Sequence, residues 1–175
     1  MIFTLVGMPA CGKSCMGKAV SSKLKMPILD GDRLIEERTG KKLQDIIDES
    51  GLEAFKKIEE ETLLSIEDDN IILAPGGSAV YYDSVMQKCK KRGKIIYIYV
   101  SLPIIKERLG DYSKRGVVLK PGQTIDDLYA ERTKLYEKYA DITINCSGRA
   151  YPKYRAELIE KIKECIDTKK PCGVQ

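Results

Sequence analysis

The sequence predicts a single α/β domain in which a five-stranded parallel sheet is flanked by helices. Short apolar runs alternate along the chain with segments that have the spacing of amphipathic helices. Strands that are apolar throughout are typical of a parallel sheet covered on both faces, and the alternation calls for right-handed crossovers. The length of 175 residues, 43% of them hydrophobic, suits one core.

Each predicted strand is a short apolar run, and the runs are Ile2 to Val6, Pro27 to Leu29, Ile71 to Ala74, Lys94 to Val100 and Asp141 to Asn145. Helices are expected from Cys15 to Leu24 and from about Lys153 to Thr168. The helical spacing after the second strand breaks at Gly40 and Gly51. Residues 110–124 contain glycine, proline and several basic side chains and fit no core element, which predicts a mobile lid on the single domain 1–175.

The composition excludes several classes of function. With no histidine, the chain has no imidazole for a general base, a nucleophile pair or a zinc ligand. The net charge of +4 is spread along the chain without a nucleic-acid-binding motif, so no nucleic-acid partner is expected. No apolar run approaches the length of about 18 residues that a membrane span needs. The start lacks the features of a signal peptide, and no long apolar stripe is evident, so we expect a cytoplasmic monomer.

A phosphate-binding motif follows the first strand. The segment Gly7-Met8-Pro9-Ala10-Cys11-Gly12-Lys13-Ser14 matches GxxxxGK[ST] and lies between an apolar strand and a predicted helix, the context that the motif requires. In such a loop, backbone N–H groups and the helix N-terminus bind phosphate oxygens, the lysine reaches the β and γ phosphates, and the serine binds Mg²⁺. The predicted cofactors are therefore ATP and Mg²⁺, and the nucleotide-binding residues are Gly7, Ala10, Cys11, Gly12, Lys13, Ser14 and Cys15.

Two of the six cysteines, Cys11 and Cys15, lie in this loop and at the start of its helix. A helix N-terminus lowers the pKa of a thiol, so a redox-sensitive loop is one interpretation. The interpretation that we favour is that both are small residues tolerated in a tight turn. The other cysteines form no CxxC pair and are expected to be reduced packing residues.

Asp30 and Asp32 follow the second strand, at the edge of the sheet where ligands of open α/β sheets bind. Two carboxylates one residue apart can divide the work of a phosphoryl transfer, because one can organise Mg²⁺ while the other accepts a hydroxyl proton. The alternative interpretation is that Asp32 is the N-cap of the following helix, and the two roles are compatible.

Five segments follow the phosphate-binding motif in order along the chain. They are Leu29-Asp30-Gly31-Asp32, Ile35-Glu36-Glu37-Arg38-Thr39-Gly40, Phe55-Lys56-Lys57-Ile58-Glu59-Glu60-Glu61, Gly76-Gly77-Ser78-Ala79-Val80, and Glu131-Arg132 before Leu135-Tyr136. In this order the sequence resembles the shikimate kinase family from the first strand to about Asn145. The resemblance implies a P-loop kinase domain that transfers a phosphoryl group from ATP to shikimate, giving shikimate 3-phosphate for aromatic amino acid biosynthesis.

The resemblance also implies roles for individual residues. Asp30 helps to organise Mg²⁺ with Ser14, and Asp32 binds the acceptor hydroxyls and serves as the base. Arg115 in the lid lies near the transferring phosphoryl group, and Arg108 lies on the adenine side. The implied catalytic residues are Lys13, Asp32 and Arg115. The implied acceptor-binding residues are Asp32, Lys56, Gly76, Gly77, Ser78 and Arg132.

Three positions depart from the family pattern. Lys56 stands where the family has an arginine that grips the acceptor's carboxylate, and Ser78 stands where it has a glycine. The lid segment Arg115-Gly116-Val117-Val118 replaces Arg-Pro-Leu-Leu. Lysine offers a flexible point charge in place of a bidentate fork. A kinase of the same fold that acts on another hydroxy acid or sugar acid, such as gluconate, is therefore the alternative.

Two other functions fit the sequence less well. A nucleoside monophosphate kinase needs groups that stack on a base, and Phe55 is the only aromatic residue between the second and third predicted strands. A regulator that binds a nucleotide without catalysis is expected to lose Lys13, Ser14 or Asp32, and all three are present.

Overall fold

The computed structural model describes residues 1–110, 119, 120 and 122–168. A five-stranded sheet has the order β2-β3-β1-β4-β5, and each pair of neighbouring strands is parallel. The strands are β1 (Ile2–Val6), β2 (Ile28–Asp30), β3 (Ile71–Ala74), β4 (Gly93–Tyr99) and β5 (Ile142–Asn145). The helices in the described residues are α1 (Lys13–Leu24), α2 (Gly31–Thr39), α3 (Leu43–Leu64), α4 (Asp83–Arg92), α5 (Leu102–Leu109), α6 (Ile125–Tyr139) and α7 (Tyr151–Asp167), with a short 3₁₀ helix at Ala79–Tyr81.

The predicted α/β fold is confirmed, and each predicted strand is present with its ends shifted by no more than one residue. Helix α1 begins at Lys13, earlier than predicted, because Gly12 takes the left-handed conformation that ends the loop before it. Helix α7 begins at Tyr151, since Pro152 fits the first turn of a helix. The predicted break at Gly51 is a kink within α3, where the backbone has φ 81° and ψ 166°.

The core is divided between a large cluster around the sheet and a small one beside it. Strand β1 is buried along its whole length between β3 and β4. The small cluster contains Ile35 of α2 with Ile46 and Phe55 of α3, so these two helices pack on each other away from the sheet. Because β1, β2 and β3 are neighbours and parallel, the loops that follow them meet at one edge of the sheet.

The predicted lid, about residues 110–124, falls largely outside the described residues, and Arg115 lies outside them. Within the ranges that are described, no helix combines the length and the apolar character needed to cross a membrane.

Candidate active site

The loops after β1, β2 and β3 line a cleft with a volume of about 1360 Å³. Most of the residues predicted from the sequence line it, namely Ala10, Gly12, Lys13, Ser14, Cys15, Asp30, Asp32, Lys56, Gly76, Gly77, Ser78 and Arg132. Gly7 and Cys11 lie behind the lining, within the loop, and Arg108 contacts that loop from α5. The structure therefore brings the predicted nucleotide residues and the predicted acceptor residues to one cavity.

The loop after β1 curls around the amino group of Lys13. Its Nζ donates hydrogen bonds to the carbonyl oxygens of Gly7 and Met8 at 2.8 and 3.1 Å. A Cβ on Gly7 would lie 2.7 Å from the carbonyl oxygen of Ile98, so the loop closes against β4 only with glycine there. The lysine ammonium is thus held at the N-terminus of α1, where phosphate groups bind in loops of this type.

The two cysteines of the loop occupy different environments. The Cys11 side chain is 3% exposed and packs in the large core. Only the backbone of Cys11 can therefore make the predicted contact with the nucleotide. Arg108 donates to the carbonyl oxygens of Ala10 and Cys11 at 3.4 and 3.5 Å. Cys15 is exposed, and its thiol lies 3.4 Å from the hydroxyl of Tyr151. Cys11 therefore has the buried position expected of a packing residue, whereas Cys15 does not.

Asp30 is the N-cap of α2. Its carboxylate accepts hydrogen bonds from the backbone N–H of Arg33 and the hydroxyl of Ser14, both at 3.4 Å. The alternative interpretation that Asp32 caps this helix is therefore wrong, because Asp32 lies inside the first turn. A hydroxyl and a carboxylate are the hard oxygen ligands that suit Mg²⁺, which also binds phosphate and water. Among the described residues, no cluster of three or more acidic, cysteine or histidine side chains could hold a metal alone.

Asp32 is open to the cleft, but the protein around the cleft desolvates its carboxylate. This desolvation raises the pKa of Asp32, and the nearby charge of Asp30 raises it further. The ammonium of Lys13 acts in the opposite direction and favours the ionised form. The carboxylate thus lies beside the phosphate-binding lysine with its basicity increased, which suits a group that accepts a hydroxyl proton.

Gly76 and Gly77 allow the loop after β3 to touch the functional side chains. A Cβ on Gly76 would lie 2.7 Å from an oxygen of Glu59 and 3.0 Å from an oxygen of Asp32. A Cβ on Gly77 would lie 3.0 Å from a terminal nitrogen of Arg132. Side chains at these positions would displace the ends of Glu59, Asp32 and Arg132, so glycine lets these polar groups keep their places at the cleft.

Glu59 is a site residue to which the sequence analysis gave no role. Its side chain is 1% exposed, and its carboxylate oxygens accept hydrogen bonds from Ser78 at 2.8 Å and from Tyr82 at 2.7 Å. Burial raises the pKa of Glu59, whereas these hydroxyls stabilise the ionised form. The signal in the sequence was its position one helical turn after Phe55, on the face of α3 that turns inward.

Replacing Glu59 with alanine is expected to lower the free energy of unfolding by about 1–3 kcal/mol, because the hydroxyls of Ser78 and Tyr82 lose their buried partner. Denaturant unfolding measures the effect. The matched control is Glu61→Ala, which removes an exposed carboxylate from the same helix. Equal unfolding free energies in the two variants would contradict this structural role.

The two basic residues predicted to bind the acceptor differ in their surroundings. Lys56 lies at the rim, where its Nζ pairs with Glu53 at 2.6 Å. Arg132 is 6% exposed, and among the described residues no carboxylate lies within the 4.0 Å of an ion pair. Its guanidinium lies 5.3 Å from the centre of the Tyr81 ring. The charge of Glu59 interacts with Arg132 through space but forms no ion pair with it, so the guanidinium can still receive a carboxylate from a ligand.

Comparison with known proteins agrees with this geometry. A family model described as shikimate kinase matches residues 9–167. The shikimate kinase of Bacillus anthracis (strain CDC 684 / NRRL 3495) is 33% identical over 160 residues, covering 91% of this chain and 97% of that protein.

Two solved structures have the same fold. A shikimate kinase from Acinetobacter baumannii, in complex with shikimate, superposes with a TM-score of 0.80 and 27% identity, covering 97% of this chain and 94% of that one. The shikimate kinase from Aquifex aeolicus gives a TM-score of 0.78 at 24% identity, covering 97% and 100%. The chain belongs to the shikimate kinase family and is a phosphotransferase that acts on a hydroxyl group.

Proposed function

We propose that Lys13, Asp32 and Arg132 are the principal residues with which this chain phosphorylates shikimate at the 3-hydroxyl. The observation that carries the proposal is their arrangement along one cleft, where each suits a different part of the reaction. The lysine suits the triphosphate, the desolvated carboxylate suits the hydroxyl, and the buried guanidinium suits the carboxylate of the acceptor.

On the nucleotide side, the loop N–H groups and the N-terminus of α1 bind the phosphates of ATP. Lys13 exchanges its carbonyl partners for the β and γ phosphate oxygens, which are stronger acceptors because they are charged. Arg108 lies against the loop from α5 and contributes to the adenine side. Arg115 lies outside the described residues, and its role beside the transferring phosphoryl group stays a prediction.

Ser14 and Asp30 are the proposed protein ligands of Mg²⁺, directly or through water. Their oxygens are 3.4 Å apart and are the donors that this ion prefers. The bound ion would neutralise part of the phosphate charge. Asp30 retains its cap hydrogen bond through the other carboxylate oxygen, so the ion site is tied to the start of α2.

On the acceptor side, Asp32 orients the hydroxyl in line with the phosphoryl group and accepts its proton. Arg132 binds the carboxylate of shikimate, and Lys56, which also lines the cleft, adds a second positive charge. Gly76 and Gly77 bring backbone to the ligand between these groups. Ser78 acts indirectly, because its hydroxyl is bound to Glu59.

A substrate screen tests the proposal. ATP consumption is measured with shikimate, gluconate, other hydroxy acids and nucleoside monophosphates at equal concentrations. We expect the highest kcat/KM with shikimate and formation of shikimate 3-phosphate. A shikimate rate at background beside a strong gluconate rate would overturn the assignment and would implicate the departures at Lys56 and Ser78.

Exchanging Lys56 for arginine is expected to lower the KM for shikimate by about 2- to 10-fold, because a guanidinium binds a carboxylate with two parallel hydrogen bonds. Steady-state kinetics at saturating ATP measure it. Lys57→Arg, one position along on an exposed face of α3, is the matched control. A higher KM in Lys56→Arg than in the control would show that this position does not meet a carboxylate.

We further propose that the whole chain, 1–175, acts as one domain with residues 110–124 as the lid, and that it is a cytoplasmic monomer whose ligands are small molecules. The large core and the continuous sheet support the single domain. Light scattering of the purified protein tests the monomer.

A further inference from the structure

We infer that Tyr81 positions Arg132 for the carboxylate of the acceptor and thereby contributes to acceptor specificity. The inference rests on the proposed role of Arg132 in binding that carboxylate. Tyr81 ends the 3₁₀ helix Ala79–Tyr81, four residues after Gly77 in the loop that follows β3, and its side chain lines the cleft.

The Arg132 guanidinium lies close to Tyr81 and to the loop after β3. The ring of Tyr81 lies 5.3 Å from the guanidinium carbon, within the range of a cation–π interaction. A terminal nitrogen comes within 3.0 Å of the position that a Cβ on Gly77 would occupy. The Nε also donates a hydrogen bond to the Tyr81 hydroxyl at 3.4 Å. Ring, hydroxyl and backbone together restrict the positions that the guanidinium can take.

The neighbour of Arg132 in the chain, Glu131, is engaged by other groups. Its carboxylate accepts hydrogen bonds from Gln123 at 2.9 Å and Lys120 at 3.4 Å, and the Tyr81 hydroxyl also favours its ionised form. Desolvation opposes ionisation of Glu131, but these bonds lower its pKa. Glu131 is thus engaged with groups before α6 and not with the adjacent arginine. Arg132 keeps its charge available for a ligand.

The exposure of Tyr81 is unusual for this protein. Across the described ranges it is the large hydrophobic side chain that is left exposed, at 38%, whereas Arg132 beneath it is almost completely buried. A ring–cation contact stabilises a buried positive charge and leaves it in place, whereas a carboxylate would neutralise it. The arrangement therefore suits a site that must hold a positive charge in a defined orientation until an anionic ligand arrives.

The experiment compares Tyr81→Phe and Tyr81→Leu in the full chain. Steady-state kinetics are measured with varied shikimate and with varied ATP. Phenylalanine keeps the ring and loses the hydroxyl, so we expect the KM for shikimate to rise about 2- to 5-fold. Leucine loses both contacts, and we expect a rise of about 10- to 30-fold. The kcat and the KM for ATP are expected to stay within about 2-fold, because the nucleotide side is untouched. Tyr129→Phe is the matched control, since its hydroxyl on α6 donates to the carbonyl of Val100.

A double-mutant cycle with Arg132→Lys separates the possible failures. If Tyr81 acts through Arg132, the effect of Tyr81→Leu shrinks strongly in the Arg132→Lys background. Full additivity, an unchanged KM for shikimate in Tyr81→Leu, or an equal rise in the KM for ATP would overturn the inference while Arg132 keeps its role. An unchanged KM in Arg132→Lys alone would refute the proposed function of that arginine, and the inference with it.

Discussion

Replacing Asp32 with asparagine is expected to lower the turnover of shikimate by about 10²- to 10⁴-fold, because the neutral amide cannot accept the hydroxyl proton. The fold is expected to survive. The side chain is open to the cleft, and the helix cap is supplied by Asp30. Turnover is measured by coupled release of ADP, and the unfolding temperature is expected to hold or rise, because a desolvated carboxylate is removed.

Glu37→Gln is the control for this substitution, since it neutralises an exposed carboxylate on the same helix. A variant Asp32→Asn that keeps a tenth of the turnover of the native chain would remove Asp32 from the role of base.

The pH profile provides a second measurement of the same role. Desolvation and the charge of Asp30 raise the pKa of Asp32, against the effect of Lys13. The protonated carboxyl cannot act as a base, so activity falls as the pH drops through this raised pKa. The acid limb of the kcat/KM profile, which reports groups of the free enzyme, is therefore expected above the pH at which an ordinary aspartate titrates. A limb at the ordinary position would contradict the desolvation of this carboxylate.

Removing the ammonium of Lys13 by substitution with alanine is expected to lower kcat/KM for ATP by about 10²- to 10³-fold, the loss typical of one charged group that stabilises a transition state. The reason is geometric. The loop holds Nζ at the N-terminus of α1, and no other lysine of the described residues is bonded into that loop. Steady-state kinetics with varied ATP measure the loss.

Lys18→Ala is the matched control for the lysine, because Lys18 lies on the exposed face of the same helix. Circular dichroism of both variants verifies that α1 is retained. Near-normal kinetics in Lys13→Ala would show that the loop amides alone bind the triphosphate, and the proposed mechanism would lose its principal cation.

The structure explains how a serine is accommodated at position 78, where the family has a glycine. Its hydroxyl bonds both oxygens of Glu59 and does not project freely at the ligand. The added side chain is therefore accommodated by a buried acidic partner, and Gly76 and Gly77 keep their bare backbone toward the cleft. At Lys56 no comparable compensation is found among the residues that the structure describes, and the lysine pairs with Glu53 at the rim. Lys56 is thus the departure with the more direct consequence for acceptor affinity.

Much of the fold and of the nucleotide side could be predicted because the determinants are local. A short run of apolar residues predicts a strand that is buried on both faces, such as β1. The glycines and Lys13, at their fixed spacing, predict the phosphate loop before α1. The acceptor side was predicted less completely. Glu59 and Tyr81 were missed, because their partners lie 19 or more residues away along the chain.

By itself, the sequence determined the α/β class, the strands, the phosphate loop and the pair Asp30 and Asp32. The strands follow from runs of apolar residues, and the loop and the aspartate pair follow from the spacing of residues close together in the chain. Only the tertiary structure decided which aspartate caps α2 and which remains open to the cleft. It also decided that Arg132 is buried against Tyr81 and forms no ion pair with a carboxylate of the described residues. These outcomes depend on how the loops after three parallel strands converge, and strand order is a property of the whole packed chain.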